Sequence, residues 1–257
     1  MTNSIKQLLH SLGLRTLAFT LLLGIISAGC EDDNVQPKPQ STSLNKIMAL
    51  GASRVEGARP EFESFRYELW KLLIEGEWDF DYIGSQTDEA SYEDFLDMSF
   101  DPDHEGRGGW TSGEILGGIE GWIEAVGAPG IVLFSSPGGN DILNGEASFE
   151  EIVSNINEII DILQESNPNV TIIIEELAPG MSSFMTAQFT ADFNAMRQQV
   201  RTIASEQTTS TSQVITVDMF TGFDDSLLAD DVHYNEAGAR FIAERYYDVL
   251  QGVLESE

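Results

Sequence analysis

The segment that decides the fold runs from residue 130 to residue 177. It opens with the apolar run GIVLFS (130–135), continues through SFEEIVSNINEIIDILQES (148–166) and closes with VTIIIEEL (170–177). The middle stretch places apolar residues at the three- and four-residue spacing of one helix face: Phe149, Ile152, Val153, Ile156, Ile159, Ile160 and Leu163. Two short apolar runs joined by such a helix predict parallel strands, because parallel neighbours need a long crossover connection.

The same alternation extends in both directions along the chain. Further apolar runs are KIMAL (46–50), FDYI (80–83) and VITVDM (214–219), and each is followed by a glycine or polar loop. Strands that alternate with helices predict a parallel sheet covered by helices on both faces. We therefore expect an α/β protein with a three-layer α/β/α sandwich. In such sheets ligands bind outside the carboxyl ends of the strands, so the loops there hold the candidate site.

The charge balance excludes one class of partner. The 257 residues include 43 Asp and Glu against 13 Lys and Arg, for a formal net charge of −30. Nucleic-acid binding draws much of its affinity from Lys and Arg that neutralise phosphates. We therefore expect no nucleic-acid partner, and an anionic membrane surface is disfavoured for the same reason.

The amino terminus has the pattern of a secretion signal. Lys6 and Arg15 precede an uncharged run (16–29) that is shorter than the roughly 20 apolar residues of a spanning helix. Small residues then lead to Cys30, the only cysteine of the chain. This resembles the lipobox of bacterial lipoproteins, in which that cysteine is lipidated, although Ser27 stands where Leu is usual. The alternative is an ordinary signal peptide with an incidental cysteine.

These features predict three parts of the chain. Residues 1–29 would be a lipoprotein signal peptide, and residues 30–43, rich in acids, prolines and small polar residues, a flexible tether. Residues 44–257 would form the folded domain. The mature protein would then be exported and anchored in the cell envelope, periplasmic or at the cell surface, and it would meet the membrane only through the lipid on Cys30.

Two loops carry the histidines of the predicted mature chain, His104 and His233. Asp230 precedes His233 by three residues, a spacing that can bring a carboxylate to Nδ1 and leave Nε2 to accept a proton. A surface loop ahead of a helix capped by Asn235 would give the same pattern. From these residues alone, both readings stay open.

Ser53 follows the first predicted strand at the turn into a helix. Its hydroxyl would lie at the carboxyl edge of the sheet, where a helix amino terminus favours negative charge. A helix cap is the ordinary role of a serine at that position. The Gly-x-Ser-x-Gly elbow of α/β-hydrolases is absent, because Val55 stands where its second glycine should be.

Taken together, four loop segments resemble the conserved blocks of the SGNH (GDSL-type) hydrolases. They are LGASRVEG (50–57), DFDYIGSQTD (79–88), PGGND (137–141) and DDVHYNEAG (230–238), in the family's order. The resemblance implies a flavodoxin-like SGNH hydrolase fold and an esterase that needs no cofactor and no metal.

The resemblance also implies roles for individual residues. Ser53 would be the nucleophile, His233 the base and Asp230 the acid that orients it. The amides of Ser53 and Gly84 and the side chain of Asn140 would form the oxyanion hole, which acyl transfer requires.

The sequence departs from the family's first block at Ala52, where an Asp is usual. That Asp is neither nucleophile nor base, so a working site is still expected. The departure leaves one alternative open, namely a carbohydrate-binding lipoprotein whose site is inactive.

The loop DPDHEGRGGWT (101–111) resembles a stretch found in carbohydrate esterases that remove acetyl groups from plant polysaccharides such as xylan, with Arg107 in place of a second histidine. His104, Arg107 and Trp110 are therefore candidate substrate-binding residues. His104 could instead order the loop, and Trp110 could be buried beneath it.

Five cationic residues cluster in the first third of the domain: Arg54, Arg59, Arg66, Lys71 and Arg107. Salt bridges on an acid-rich surface are the favoured interpretation, and an acidic substrate is the alternative.

The expected function is hydrolysis of a small acyl ester, most simply acetyl, on a carbohydrate through an acyl-enzyme. The alternative within the same scaffold is a lipase, arylesterase or thioesterase, for which long apolar loops around the site would be expected.

Overall fold

The structure is a computed structural model that describes residues 35–145 and 147–256. The predicted signal peptide (1–29), the lipidation site Cys30 and the first part of the predicted tether lie outside the described residues. Within the described part of the chain, no helix is both long enough and apolar enough to span a membrane.

The described part of the chain contains seven strands and seven helices, with one short 3₁₀ turn at Asp225–Leu227. The strands are β1 (Asn45–Gly51), β2 (Phe80–Tyr82), β3 (Gln86–Thr87), β4 (Asp103–Gly106), β5 (Ile131–Phe134), β6 (Thr171–Glu176) and β7 (Val214–Asp218). The helices are α1 (Ser53–Glu56), α2 (Arg66–Glu75), α3 (Ser112–Val126), α4 (Gly139–Asn144), α5 (Phe149–Ser166), α6 (Ala187–Gln207) and α7 (Glu236–Leu250).

The strands of the described residues form one sheet of order β3-β4-β1-β5-β6-β7, with β2 also paired to β1. All neighbours are parallel except β3 and β4. Both β2 and β4 lie on the side of β1 away from β5. There β2 pairs with the first part of β1, residues 45–47, and β4 pairs with the last two residues of β1. The predicted parallel sheet is confirmed, with one antiparallel pair at its edge.

Helices cover both faces of the sheet, which confirms the three-layer α/β/α fold. Alternate residues of β1 point to opposite faces, as the two-residue period of a strand requires. Met48 and Leu50 pack with α3, α5 and α6 in one buried cluster. Ile47 and Ala49 pack with α2 and α7 in the other.

The helix predicted within residues 148–166 is present as α5. In α5 the apolar stripe is buried at Ile152, Ile156, Ile159, Ile160 and Leu163. The Ser148 side chain accepts a hydrogen bond from the Glu151 amide and so caps the first turn. The cap fixes where α5 begins, which sets the register of its apolar face against the sheet.

The described part of the predicted tether has no regular secondary structure and contacts the folded domain. Val35 packs against the apolar cluster beside α3. The Lys38 amide donates to the carbonyl oxygen of Ala125 at 2.9 Å, and Lys38 Nζ lies 2.9 Å from Asp103 Oδ1. This stretch therefore lies along the domain surface.

Candidate active site

The turn from β1 into α1 places Ser53 at the carboxyl edge of the sheet. Gly51 has a φ of 158°, and a Cβ atom there would lie 2.9 Å from Val55 Cγ2 and 3.0 Å from the Ser135 carbonyl oxygen. Only glycine lets the chain turn so closely against the neighbouring strand. Ser53 begins the short helix that follows, which explains how its hydroxyl comes to face the loops after β5 and β7.

Ser53, His233 and Asp230 form a continuous hydrogen-bonded chain. Ser53 Oγ lies 2.8 Å from His233 Nε2, and His233 Nδ1 lies 2.8 Å from Asp230 Oδ2. The serine and the histidine are 180 residues apart in sequence. The arrangement has the geometry of a nucleophile, a base and an acid that orients the base.

The Asp230 carboxylate is held by the backbone of its own loop. Its Oδ1 accepts hydrogen bonds from the amides of Val232 and His233 at 2.9 and 2.8 Å. Partial burial raises the pKa of Asp230, but these hydrogen bonds and that of the His233 ring outweigh it, and the net pKa is lowered. The group is therefore a carboxylate at neutral pH. Asp231 is exposed beside it.

The His233 ring is also fixed from one face. It stacks on the ring of Phe62, with a centroid separation of 3.9 Å and an interplanar angle of 12°. Phe62 belongs to the loop between α1 and α2, far from His233 in sequence. Phe62 was not predictable from the sequence, because a single phenylalanine in a loop carries no pattern that identifies its partner.

Arg54 ties several loops of the site together. Its guanidinium donates to the carbonyl oxygens of Val232, Ala178 and Pro179 at 2.9, 3.0 and 3.0 Å, and to Ser136 Oγ at 3.2 Å. These acceptors lie in the loops that follow β5, β6 and β7. The side chain is buried, so we assign it a structural role in place of the possible substrate contact.

The other four cationic residues of the cluster form salt bridges, the interpretation favoured from the sequence. The ion pairs are Arg59 with Glu63, Arg66 with Asp88, Lys71 with Glu68 and Arg107 with Glu105. Their charges are thus directed at protein carboxylates and do not argue for an acidic substrate.

A buried carboxylate supports the loop that follows β5. Glu175, near the carboxyl end of β6, has no solvent-exposed surface. It accepts hydrogen bonds from the Ser136 amide at 2.7 Å and from Tyr246 Oη at 2.8 Å. Burial raises its pKa, against the opposing effect of these hydrogen bonds. Ser136 has a φ of 46°, unusual for a residue with a side chain, so Glu175 holds a strained turn four residues before Asn140.

A small cavity of about 40 Å³ opens at Ser53. The apolar part of its lining consists of large side chains: Trp110, Ile115, Phe134, Leu143 and Phe193. Asn140 also lines it, in the first turn of α4. The Asn140 Nδ2 atom donates one hydrogen to the Trp110 carbonyl oxygen at 2.8 Å, which orients the amide and leaves its second hydrogen for another acceptor.

Gly84, the other candidate oxyanion donor, follows β2 and does not line this cavity. A Cβ atom at Gly84 would lie 2.1 Å from the carbonyl of His104, so the two backbones meet here too closely for any side chain. The next residue, Ser85, is fixed by Glu105, whose carboxylate accepts from the Ser85 amide at 2.8 Å and from Ser85 Oγ at 2.6 Å.

The segment 101–111 is more ordered and more buried than its polar composition suggested, since it contains β4. His104 is only 3% exposed, and its Nδ1 accepts from the Gly106 amide at 3.0 Å. Burial, followed by the nearby cations Arg66, Arg107 and Lys38, holds its pKa well below the usual range. His104 is therefore a buried, neutral imidazole, which favours the alternative that it orders the loop over a contact with substrate.

Arg107 is also inside the protein. Its guanidinium pairs with Glu105 and stacks 3.6 Å from the ring centroid of Trp122. This burial and the pairing with Glu105 favour a structural role for Arg107 over a contact with substrate. Trp110 has features of both predicted roles, a buried residue and a substrate contact. Its side chain packs against the core and also lines the small cavity. Among the described residues, no group of three or more His, Cys, Asp or Glu side chains is placed to hold a metal ion.

Comparisons with known proteins agree with this geometry. A model of the GDSL-like lipase/acylhydrolase family matches residues 50–241. No curated protein gives a significant match. Among solved structures, an acetyl esterase mutant with bound acetate ion is 27% identical, with a TM-score of 0.70, and the match covers 81% of this chain and 97% of that one.

Two further solved structures are carbohydrate esterases of family 3. One, from Talaromyces cellulolyticus, is 28% identical with a TM-score of 0.70, and the match covers 81% of this chain and 97% of that one. The other, from Clostridium thermocellum, is 26% identical with a TM-score of 0.65, and the match covers 82% of this chain and 99% of that one.

The fold and the family match together define a carboxylic ester hydrolase. The chain belongs to the GDSL-like lipase/acylhydrolase family, whose model covers most of its length.

Proposed function

We propose that this hydrolase is a serine esterase that removes an acetyl group from a carbohydrate ester through an acyl-enzyme. The observation that carries the proposal is the size of the cavity at Ser53. At about 40 Å³ this cavity is small beside the roughly 300–1,000 Å³ of ordinary small-molecule sites. Its size suits a short acyl group such as acetyl.

The residues around this cavity supply each chemical step. His233 Nε2 accepts the proton of Ser53 Oγ while that oxygen forms a bond to the acetyl carbon. Asp230 holds the imidazole in the required tautomer and stabilises the imidazolium that forms. His233 then protonates the departing sugar oxygen as the ester bond breaks. Water, deprotonated by the same histidine, releases acetate and restores the Ser53 hydroxyl.

The negative charge that develops on the carbonyl oxygen needs hydrogen-bond donors. Asn140, with the second hydrogen of its Nδ2, and Ser53, with its backbone amide, line the same cavity and are the proposed oxyanion donors. Gly84 does not line this cavity, and its amide remains a donor predicted by the family resemblance alone. None of these groups depends on Ala52. Replacement of the usual Asp at that position therefore does not by itself argue for an inactive protein.

The carbohydrate part of the proposal is supported by the similar solved structures, two of which are family 3 carbohydrate esterases. The mostly polar, acidic loops of this chain favour a hydrated substrate over a lipid. A lipase or thioesterase acting on a long acyl chain would need an acyl cavity larger than the one at Ser53.

The test compares p-nitrophenyl acetate, butyrate and octanoate, together with acetate release from acetylated xylan. We expect kcat/KM to fall steeply as the acyl chain lengthens and acetate to be released from xylan. Acid-quenched reactions should carry one acetyl group on the peptide that contains Ser53. Ser53→Ala should retain its fold and lose both turnover and acetylation. Equal or greater activity on octanoate would overturn the acetyl assignment.

We further propose that the mature protein is exported and held in the cell envelope by a lipid on Cys30. The support is the sequence pattern of residues 1–30. Cys30→Ser should move the protein from the membrane fraction to the soluble exported fraction. A variant that still sediments with membranes would contradict the lipid anchor.

A further inference from the structure

A second and larger cavity, of about 550 Å³, lies beside the one at Ser53. Phe193 lines both cavities, so they share a wall. The remaining walls come from the loops that follow β6 and β7 and from α6. A volume of this size is within the range of sites that bind small molecules.

Phe220 forms an unusual part of this second cavity. It is 45% exposed, and it is the only aromatic residue among the exposed large apolar side chains in the described part of the protein. Its ring covers the Arg197 guanidinium, whose central carbon lies 3.9 Å from the ring centroid. An exposed aromatic ring that is packed on one face is a preformed surface for a ligand on the other face.

Arg197 is well placed to hold that ring still. Its Nε donates to the Leu177 carbonyl oxygen and its Nη1 to Asn194 Oδ1, both at 2.7 Å. Its Nη2 is buried and has no hydrogen-bond partner among the described residues. The cation–π contact with Phe220 therefore takes the place of a further hydrogen bond and fixes the orientation of the ring.

The polar groups of the second cavity favour a neutral ligand with hydroxyl groups. The carboxylates of Asp224 and Asp225 lie on its rim and accept hydrogen bonds from Ser226 and Ser182. A carboxylate has about four acceptor positions, so both retain capacity for further donors. The positive charge of Arg197 is buried beneath Phe220. Two carboxylates at the entrance repel an anionic ligand and accept hydrogen bonds from sugar hydroxyls.

The two cavities are neighbours. Val232 lines the cavity at Ser53, and Pro179 lines the second one. One Arg54 guanidinium donates to the carbonyl oxygens of both residues, at 2.9 and 3.0 Å. The second cavity therefore lies next to the place where the ester would be cleaved, within reach of a substrate that extends beyond the acetylated sugar.

We propose that the second cavity is a subsite for a neutral sugar residue adjoining the acetylated one, with the sugar ring stacked on Phe220 and its hydroxyl groups donating to Asp224 and Asp225. This inference rests on the proposed function. It makes the enzyme selective for an acetyl group carried on an oligosaccharide or polysaccharide over one carried on a single sugar.

The test measures kcat and KM on p-nitrophenyl acetate, on a monoacetylated methyl xyloside and on monoacetylated xylotetraose. The variants are Phe220→Ala, Phe220→Trp and, as a control at another exposed apolar residue, Leu96→Ala. We expect the wild type to prefer the tetraose ester over the xyloside by at least about tenfold in kcat/KM. Contacts between two aromatic rings are worth about twofold to tenfold, and we expect a stacked sugar ring to fall in the upper part of that range.

Phe220→Ala should lower kcat/KM on the tetraose ester at least about fivefold more than on p-nitrophenyl acetate, through a raised KM. Phe220→Trp should keep the preference, and Leu96→Ala should leave all three substrates unaffected. An equal loss on all substrates, or an unchanged preference in Phe220→Ala, would overturn the subsite. A wild type that cleaves the xyloside and the tetraose ester equally well refutes the subsite alone. A wild type inactive on every acetyl ester refutes the proposed function as well.

Discussion

The imidazole of His233 lies nearly parallel to the ring of Phe62, with 3.9 Å between the ring centroids. During acyl transfer this imidazole becomes an imidazolium, and a cation over an aromatic face is stabilised. Phe62 thus restrains the ring and presents an aromatic face to the imidazolium that forms during acyl transfer.

We expect Phe62→Leu to lower kcat on p-nitrophenyl acetate by about threefold to tenfold, the usual worth of an exposed to partly buried cation–π contact. Phe62→Tyr keeps an aromatic face and should retain nearly full activity. Thermal unfolding of both variants controls for a loss of structure. A Leu variant as active as the wild type would show that the stacking has no part in catalysis.

Substitutions of the two neighbouring acids before His233 should have very different effects on kcat. Asp230 contacts the imidazole, whereas the Asp231 side chain is exposed and its backbone oxygen accepts from the Met181 amide. Loss of the equivalent acid in the serine-protease triad costs about 10⁴ in kcat. We expect Asp230→Asn to lose at least about tenfold in kcat and Asp231→Asn to lose less than about threefold. The reverse order, measured on one acetyl ester, would mean that the orienting acid is wrongly assigned.

Asn140→Ala should lower kcat by about 10²–10³, the loss typical of one oxyanion donor, with a smaller change in KM. Asn144→Ala is the matched control, since Asn144 is an exposed asparagine at the other end of α4. Steady-state kinetics of both variants decide the question. A loss of less than about threefold in Asn140→Ala would place the oxyanion donor elsewhere.

His104 should make the fold more sensitive to acid. Its pKa is well below 6.5 in the folded protein, so only the unfolded chain gains a proton there as the pH falls below that value. Stability from the neutral ring is thus present above about pH 6.5 and is lost below it. His104→Asn keeps an acceptor for the Gly106 amide but cannot be protonated.

The measurement is Tm for both proteins between about pH 7.5 and about pH 5. Several buried acids with raised pKa act in the opposite direction, so the informative quantity is the difference between the proteins. We expect the wild type's advantage over His104→Asn to shrink as the pH falls. An advantage that stays constant would contradict a buried neutral imidazole.

The parallel core of the fold was predictable from the sequence. The apolar runs at 46–50, 80–83, 130–135, 170–177 and 214–219 coincide with β1, β2, β5, β6 and β7. They are recognisable because burial on both faces demands continuous apolar residues. The segment 103–106 is polar and forms β4, because its side chains are satisfied by partners distant in sequence, such as Ser85 and Lys38.

From the sequence alone, the loops at the strand ends could be searched only for candidate residues. The contacts between those residues were not predictable. Ser53, Asp230 and His233 have a known chemical capacity, and the loop resemblance brought them together. Arg54, Phe62 and Glu175 have roles that depend on partners far away in the chain, at the Val232 carbonyl, the His233 ring and the Ser136 amide. No local pattern encodes such pairings, so they became visible only in the folded protein.

Arg54 couples the opening of three loops around the site. One guanidinium bridges the loops after β5, β6 and β7, so none of these loops can open without breaking hydrogen bonds that also restrain the others. Lysine has no planar fork of donors and could not serve three directions at once. Backbone amides in the three loops should therefore exchange with solvent deuterium as one unit, with a shared opening free energy, although they are distant in sequence.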